Sequence, residues 1–172
     1  MINSTYIILG SNKGDRYKNI YKAKLLINSV IGTIETASSL YESEAWGYED
    51  DMPFLNKIIK VKTSLNPEKV LEKCVIIEDS LGRVRTKNSY EARTIDIDIL
   101  LFNDDIINTP DLVIPHPRMH LRNFVLIPLS EICSEHLHPI MKKTIDQLLT
   151  ECSDKSWVKK DPSIIKAEGP EL

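Results

Sequence analysis

Asp96 and Asp98 stand two positions apart in the run Arg93-Thr94-Ile95-Asp96-Ile97-Asp98-Ile99-Leu100-Leu101-Phe102, where isoleucine and aspartate alternate. On a strand, alternate side chains share a face. Ile95, Ile97 and Ile99 therefore point to a core and both carboxylates point away from it. A rise of about 3.3 Å per residue separates the two aspartate Cα atoms by roughly 6.5–7 Å. Carboxylates this close repel unless a cation or water screens them. Magnesium takes oxygen ligands, usually one or two carboxylates completed by substrate phosphates. The spacing also suits two metal ions about 3.5–4 Å apart. Alternating aspartates are equally at home on a solvated sheet face, so spacing alone leaves both readings open.

The neighbourhood adds charge of the other sign. Arg83, Arg85 and Arg93 fall on one polar stretch between a glycine-terminated helix and this strand. Guanidinium forks match phosphate oxygens in a bidentate way. Carboxylates and arginines brought to one strand end suit a metal-bound polyphosphate. The alternative for the arginines is surface pairing with Glu78, Asp79 and Glu91. In Ile114-Pro115-His116-Pro117-Arg118 two prolines fix the backbone around an imidazole, which can then be held against an anion or simply lie on the surface. Arg122 and Asn123-Phe124 follow. Phe54-Leu55-Asn56 opens a strand after a loop. That places a ring and an amide where they can stack on and hydrogen-bond a flat heterocycle, or serve as a core phenylalanine with a turn asparagine.

The elements that must position these groups are legible in outline. Thr5 to Gly10 is a short apolar run that reads as a buried strand. Asp15 to Ile31 has helical spacing, with Ile20, Ala23, Ile27 and Val30 on one face. Thr33 to Ser43 reads as one strand, and 44–53 as an acidic, aromatic, turn-rich loop. Phe54 to Thr63 alternates as a half-exposed strand does. Asn66, Pro67 and Glu68 form a helix start, Val70, Leu71, Cys74, Ile77 and Leu81 its apolar stripe, and Gly82 its end. Residues 83–92 form a polar, basic loop; this loop and 44–53 are expected to close over ligands as lids. Thr94 to Phe102 is a strand, turned at Asn103-Asp104-Asp105, with Ile106 and Ile107 expected to pair back on it. Prolines at 110, 115, 117 and 128 mark irregular chain, and Thr144 to Cys152 is a last amphipathic helix. The order β-α-β-β-α-β, with helices on a largely antiparallel sheet, places the chain in the α/β (α+β) class. Residues 1–160 form a single domain on this reading, and 161–172 a disordered tail.

Composition narrows the choice of function. The chain has 172 residues, 42% of them hydrophobic and 27% charged, enough for one soluble core. A net charge of −3 argues against coating nucleic acid, which needs many lysines and arginines on phosphates. Cys74, Cys133 and Cys152 lack any C-x-x-C pairing and read as reduced thiols of a cytosolic protein. The start of the chain enters the strand-like run Tyr6-Ile7-Ile8-Leu9 directly, so neither a signal peptide nor a membrane span is expected. Two rival functions use the same features. A nucleotidyl- or glycosyltransferase also employs an Asp-x-Asp pair. An RNA-recognition-like module shares the element order, but it needs exposed aromatics and a basic sheet where this chain has two aspartates.

Taken together, the motifs identify a family. The ordered set is Leu9-Gly10-Ser11-Asn12 with Gly14-Asp15, Phe54-Leu55-Asn56, Gly82-Arg83-Val84-Arg85, Arg93 to Asp98, and Val113-Ile114-Pro115-His116-Pro117-Arg118-Met119. In order and spacing it resembles the 6-hydroxymethyl-7,8-dihydropterin pyrophosphokinases, from about Thr5 to Leu149. The resemblance implies a ferredoxin-like fold, a monomer, and transfer of the β,γ-pyrophosphoryl group of ATP to the pterin hydroxymethyl oxygen with release of AMP. It implies that Asp96 and Asp98 hold two magnesium ions, one bridging the α- and β-phosphates and the attacking hydroxyl, the other the β- and γ-phosphates. It assigns Arg83 and Arg93 to the transferring group. Arg85, His116 and Arg122 become ATP contacts, with Glu78 on the same nucleotide side. Phe54 and Phe124 become the rings that sandwich the pterin, with Asn56 bonded to it and the Ser43–Glu44–Trp46 loop along its edge. The chain departs from the family pattern at Tyr90-Glu91-Ala92, where Trp-Gly-Pro is common, and at Glu44, where proline is common. Pro117 also replaces a position that sometimes touches the nucleotide.

Overall fold

The computed structural model describes residues 1–47, 52–83 and 93–162. Its axis is β1 (Asn3–Ser11), which pairs antiparallel with β4 (Phe54–Thr63) on one side and β5 (Asp96–Phe102) on the other. Every residue of β1 from Thr5 to Ser11 is buried, as a central strand covered on both faces requires. Two short strands, β2 (Thr33–Ala37) and β3 (Tyr41–Ser43), both pair with β4, and a strand near the chain's end, β8 (Val158–Lys160), pairs with β3. The sheet runs β5-β1-β4-β3-β8, with β2 also on β4. This contains the expected antiparallel ferredoxin-like core.

Two helices cover one face. α1 (Arg16–Val30) starts where Asp15 accepts the Lys18 N–H at 3.0 Å, and α2 (Pro67–Ser80) starts where Asn66 accepts that of Lys69 at 2.9 Å. They bury Ile20, Ala23, Ile27, Val70, Cys74 and Ile77 against Ile7, Leu9, Ile59, Val61 and the isoleucines of β5. Gly82 ends α2 as expected. At φ +85° it donates to Asp79 O at 3.1 Å, while Arg83 N–H reaches Glu78 O at 3.1 Å. This pair of bonds reverses the chain and returns Arg83 towards the helix it has just left.

The other face carries α3 (Asn123–Cys133) and α4 (Ile145–Glu151). Val125, Leu126, Leu129, Ile145 and Leu148 pack on Tyr6, Ile8, Ile58, Leu100 and Leu101. α3 lies where the sequence shows only proline punctuation. Pro128 sits inside it, and burial of the helix's apolar face outweighs the one lost hydrogen bond. The register of β1 on β5 slips between Tyr6 and Ile7, leaving Leu100 without an opposite residue. As a result Leu100 and Leu101 both pack on the α3 side, while Ile99 and Phe102 face the other way.

Three local expectations change. Thr33 to Ser43 is two strands, because regular pairing stops at Ser38: its N–H still reaches Ile58 O at 2.8 Å, but its Oγ accepts the Ile58 N–H at 2.9 Å and Glu131 takes the Ser39 N–H at 3.0 Å. β4 is buried over most of its length rather than half-exposed, since α-helices lie on both sides of it. Ile107 does not pair with β5. Ile107–Asn108 (β6) forms a separate ribbon with Val113–Ile114 (β7). The next residue, Pro115, follows a cis bond, and His116 N–H then ties the loop to Leu100 O at 2.9 Å. The three cysteines are free, with Cys74 buried. Among the described residues no helix is long and apolar enough to cross a membrane. Of the expected tail, 163–172 lies outside the described residues.

The bend after α3 depends on one buried imidazole. His138 is 3% exposed, and its Nδ1 accepts the N–H groups of Ile140 at 3.3 Å and Met141 at 3.2 Å. The ring proton therefore sits on Nε2. Burial, reinforced by His120 and His136, pushes its pKa down to about 4. The unfolded chain takes up this proton near pH 6.5 and the folded chain does not, so the contribution to stability is complete above that pH and is lost progressively as pH falls towards 4. Between pH 7 and 4.5, His138→Asn is expected to lose on the order of 2 kcal/mol less stability than the parent, measured by urea unfolding at both pH values.

Candidate active site

The antiparallel register puts Asp96 opposite Gly10 and Gly10 opposite Asn56, and puts Asp98 opposite Ile8. One row of the sheet thus reads carboxylate, bare backbone, amide. A cavity of about 260 Å³ opens over this row on the α3 side. Its lining brings together Asp96, Asp98, Arg83, Arg93, His116 and Arg122 with Ser43, Glu44, Trp46, Phe54, Asn56 and Phe124. Gly10 forms part of the floor, and a Cβ there would lie 3.4 Å from Asn56 Oδ1 and 3.7 Å from the Phe54 ring. Asn56 is 2% exposed and gives its Nδ2 to Ser43 Oγ at 2.9 Å. Its amide oxygen therefore faces Gly10.

The acidic end is compact. Arg83 Nη1 meets Asp96 Oδ1 at 2.7 Å, and Arg93 Nη1 meets Asp96 Oδ2 at 2.6 Å, so each carboxylate oxygen holds one guanidinium. Arg83 also pairs with Glu78 Oε1. The same Glu78 oxygen accepts the Ile97 N–H at 2.7 Å, on the strand between the two aspartates. Burial works against the charge on Arg83, but Asp96, Glu78 and Asp98 together hold its pKa above the usual value. Asp98 has the opposite problem. Burial first, then the carboxylates of Asp96 and Glu78, push its pKa up to about 7 against the pull of Arg83 and Arg93. Three carboxylates face two of the arginines, and the surplus negative charge lies at Asp98.

That surplus is what a divalent cation relieves, because a bound ion reverses the local preference for protonation. Among the described residues no group of three or more acidic, histidine or cysteine side chains is placed to hold a metal. Two carboxylates with open positions for phosphate oxygens match magnesium rather than a site closed by protein ligands.

The loops are tied to this end by the first turn of the chain. Asn12 is 1% exposed. Its Oδ1 accepts the Arg93 N–H at 2.7 Å, its own N–H reaches Arg93 O at 3.1 Å, and its Nδ2 reaches Met52 O at 3.4 Å. Ser11 Oγ donates to Thr94 O at 2.6 Å. Across the cavity the Arg122 guanidinium lies 4.5 Å from the Trp46 ring centre and 5.5 Å from that of Phe124. His116 Nδ1 accepts the Arg118 N–H at 3.2 Å. Burial, with Arg122 and Arg118 nearby, drives the His116 pKa down to about 4, so it offers a neutral Nε2–H donor.

A model of the 7,8-dihydro-6-hydroxymethylpterin-pyrophosphokinase (HPPK) family matches residues 6–134. The chain belongs to this family. It is 48% identical over 136 residues to the 2-amino-4-hydroxy-6-hydroxymethyldihydropteridine pyrophosphokinase of Bacillus subtilis, covering 78% of this chain and 81% of that one. The Aquifex aeolicus protein of the same name is 41% identical over 148 residues, covering 86% and 91%. That of Haemophilus influenzae is 37% identical over 160 residues, covering 92% and 99%. A Plasmodium falciparum HPPK-DHPS crystal structure superposes with a TM-score of 0.71 at 19% identity. It shares the fold over 88% of this chain, which spans 44% of the longer one.

Within this HPPK-family site Glu78, expected on the nucleotide side, does not reach the cavity itself. Glu78 is 3% exposed and lies behind the lining, where it fixes Arg83 and the backbone between the aspartates. Its helical stripe position beside Ile77 signals that burial. Arg85 and the Tyr90-Glu91-Ala92 departure lie outside the described residues, as do 84–92 and 48–51 of the two loops expected to close over ligands. Arg118, Gly10 and Asn12 were not singled out from sequence, although all three stand in the recognised motifs. Arg118 lines the cavity directly, while Asn12 acts through Arg93. Glu78→Ala is expected to cost about 2–3 kcal/mol, because it strands the Ile97 N–H in the interior, whereas Glu78→Gln retains an acceptor and costs less than half as much. Urea unfolding of the two variants measures the difference.

Proposed function

We propose that this chain transfers the β,γ-pyrophosphoryl group of ATP to the hydroxymethyl oxygen of 6-hydroxymethyl-7,8-dihydropterin, releasing AMP, a step of folate biosynthesis. The observation that carries the reading is one cavity with two chemically different ends on a single sheet row. One end joins Asp96 and Asp98 to Arg83 and Arg93; the other joins Asn56 to the rings of Phe54 and Phe124. The names of the relatives, which match over most of their length, support the same chemistry.

In this reading Asp96 and Asp98 hold two magnesium ions, which neutralise phosphate charge and lower the pKa of the attacking hydroxyl when bound. The side chains do the rest by position and charge, as phosphoryl-type transfer requires. Phe54 and Phe124 sandwich the flat pterin, and Asn56 presents its amide oxygen to the ring edge. Ser43 keeps that amide oriented by taking its Nδ2. Trp46 and Glu44 close the outer edge. His116, as a neutral donor, and Arg122 meet ATP oxygens, with Arg85 as a further nucleotide contact. Arg83 and Arg93 are held on Asp96; in this reading they pass to the transferring group and offset the charge that develops on it. Asp96 is the proposed acceptor or relay for the hydroxyl proton. The enzyme works as a cytoplasmic monomer on small molecules, with no nucleic-acid or membrane partner; its net charge of −3 supports the first of these exclusions.

Incubation with ATP, magnesium and the hydroxymethyldihydropterin should yield AMP only when the pterin is present. Release of pyrophosphate instead would identify a nucleotidyltransferase. Asp98→Ala should lower kcat by about 10³-fold or more while the thermal transition is retained; a near-normal rate in saturating magnesium would overturn the metal assignment. Arg93→Ala should lower kcat by about 10²- to 10³-fold. A change confined to ATP affinity would show that Arg93 does not act on the chemical step.

A further inference from the structure

The family match ends at residue 134, yet the chain returns to the cavity after α4. Asp154 accepts the Asn123 N–H on its Oδ2 at 2.9 Å, and its backbone oxygen takes the Asn123 side-chain amide. Asn123 is the first residue of α3, immediately before Phe124. Three residues on, Trp157 N–H donates to Glu44 Oε1 at 2.8 Å. β8 then continues the pairing, with Val158 opposite Ser43 and Lys160 opposite Tyr41. Within seven residues this strap grips both walls of the cavity: the loop that carries Glu44 and Trp46, and the helix start that carries Phe124.

We propose that the strap 154–160 sets the width of the pterin slot, with Glu44 as the positioning residue that ties the slot's edge loop to it. The proposal rests on the assignment of Phe54, Asn56 and Phe124 to the pterin. Proline fixes its own backbone. Glu44 has no such restriction and reaches the same end through a side-chain bond to a neighbouring strand. A loop held in place before the ligand arrives has less freedom to lose on binding, so the tether acts on affinity for the pterin rather than on the chemical step.

Glu44→Ala and Trp157→Pro each remove one partner of the same bond. Each should raise KM for the pterin about three- to tenfold, with kcat and KM for ATP within about twofold. The double variant should be no worse than either single one, since one bond is lost in all three. Glu44→Gln keeps an acceptor and should restore the parent KM. A reading independent of catalysis uses Trp157→Phe, which keeps the backbone donor and leaves Trp46 as the only tryptophan. In that background Glu44→Ala should lower the fluorescence anisotropy of Trp46 in the ligand-free protein, and Glu44→Gln should not. This measurement also stands if Trp157→Pro does not fold. Unchanged anisotropy with unchanged KM would overturn the proposal. So would additive effects of the two single variants, or a Glu44→Gln variant as impaired as Glu44→Ala beside a harmless Trp157→Pro, which would mean that the Glu44 charge meets the pterin itself. If the anisotropy falls but no pterin-dependent AMP forms in any variant, the tether is real and the substrate assignment is what fails.

Discussion

Repulsion between carboxylates governs the architecture of this site. Asp96, Asp98 and Glu78 converge at one end of the cavity, and burial of Asp98 removes the water that would otherwise weaken their mutual field. Each surrounding contact answers that repulsion. The two arginines divide the oxygens of Asp96 between them, Gly82 turns the chain so that Arg83 can reach back, and Asn12 holds the backbone of Arg93. The compensation is incomplete: burial and the neighbouring carboxylates still push the Asp98 pKa upward against the pull of both arginines. A site balanced without ligands would have little to gain from a cation and a triphosphate. This one leaves its carboxylates only partly compensated, a deficit that a bound cation is suited to fill.

The two faces of the sheet divide the work. The α1–α2 face is a continuous apolar layer from Ile7 to Ile114, and it anchors the strands that carry the chemistry. The α3–α4 face has a smaller core and gives way at one end to the cavity. Glu78 spans the two. It belongs to a helix of the first face, yet its carboxylate reaches through to the strand backbone and to Arg83. The slip at Leu100 turns two successive leucines onto the second face, so the end of β5 feeds the α3 core while its beginning serves the site.

Much of this was legible in the sequence because it rests on local rules. The alternation of isoleucine and aspartate placed Asp96 and Asp98 on a common face, and Asn66, Pro67 and Gly82 bounded α2 to within a residue or two. What was not legible depends on distant partners. The strand breaks at Ser38 and Ser39 because Ile58 donates its N–H to the Ser38 hydroxyl and Glu131 accepts the Ser39 N–H. β8 is three residues long and becomes a strand only because β3 offers a free edge. α3 forms despite Pro128 because its apolar face has a sheet to cover. In the site, Asn56 and Phe54 were ambiguous as residue types; the cross-strand register puts Asn56 in line with Asp96, and Phe54 lies two residues along the same strand.

That register has a metric consequence. Adjacent strands lie about 4.8 Å apart, so the columns of Asp96 and Asn56, with Gly10 between them, stand about 10 Å apart. The backbone ladder, rather than any adjustable side chain, holds this interval. The sheet therefore works as a gauge: a molecule anchored by its heterocycle at the amide column can present to the acidic column only an arm of matching reach. An analogue with a longer or shorter arm would meet a ruler that cannot be reset without re-registering three strands.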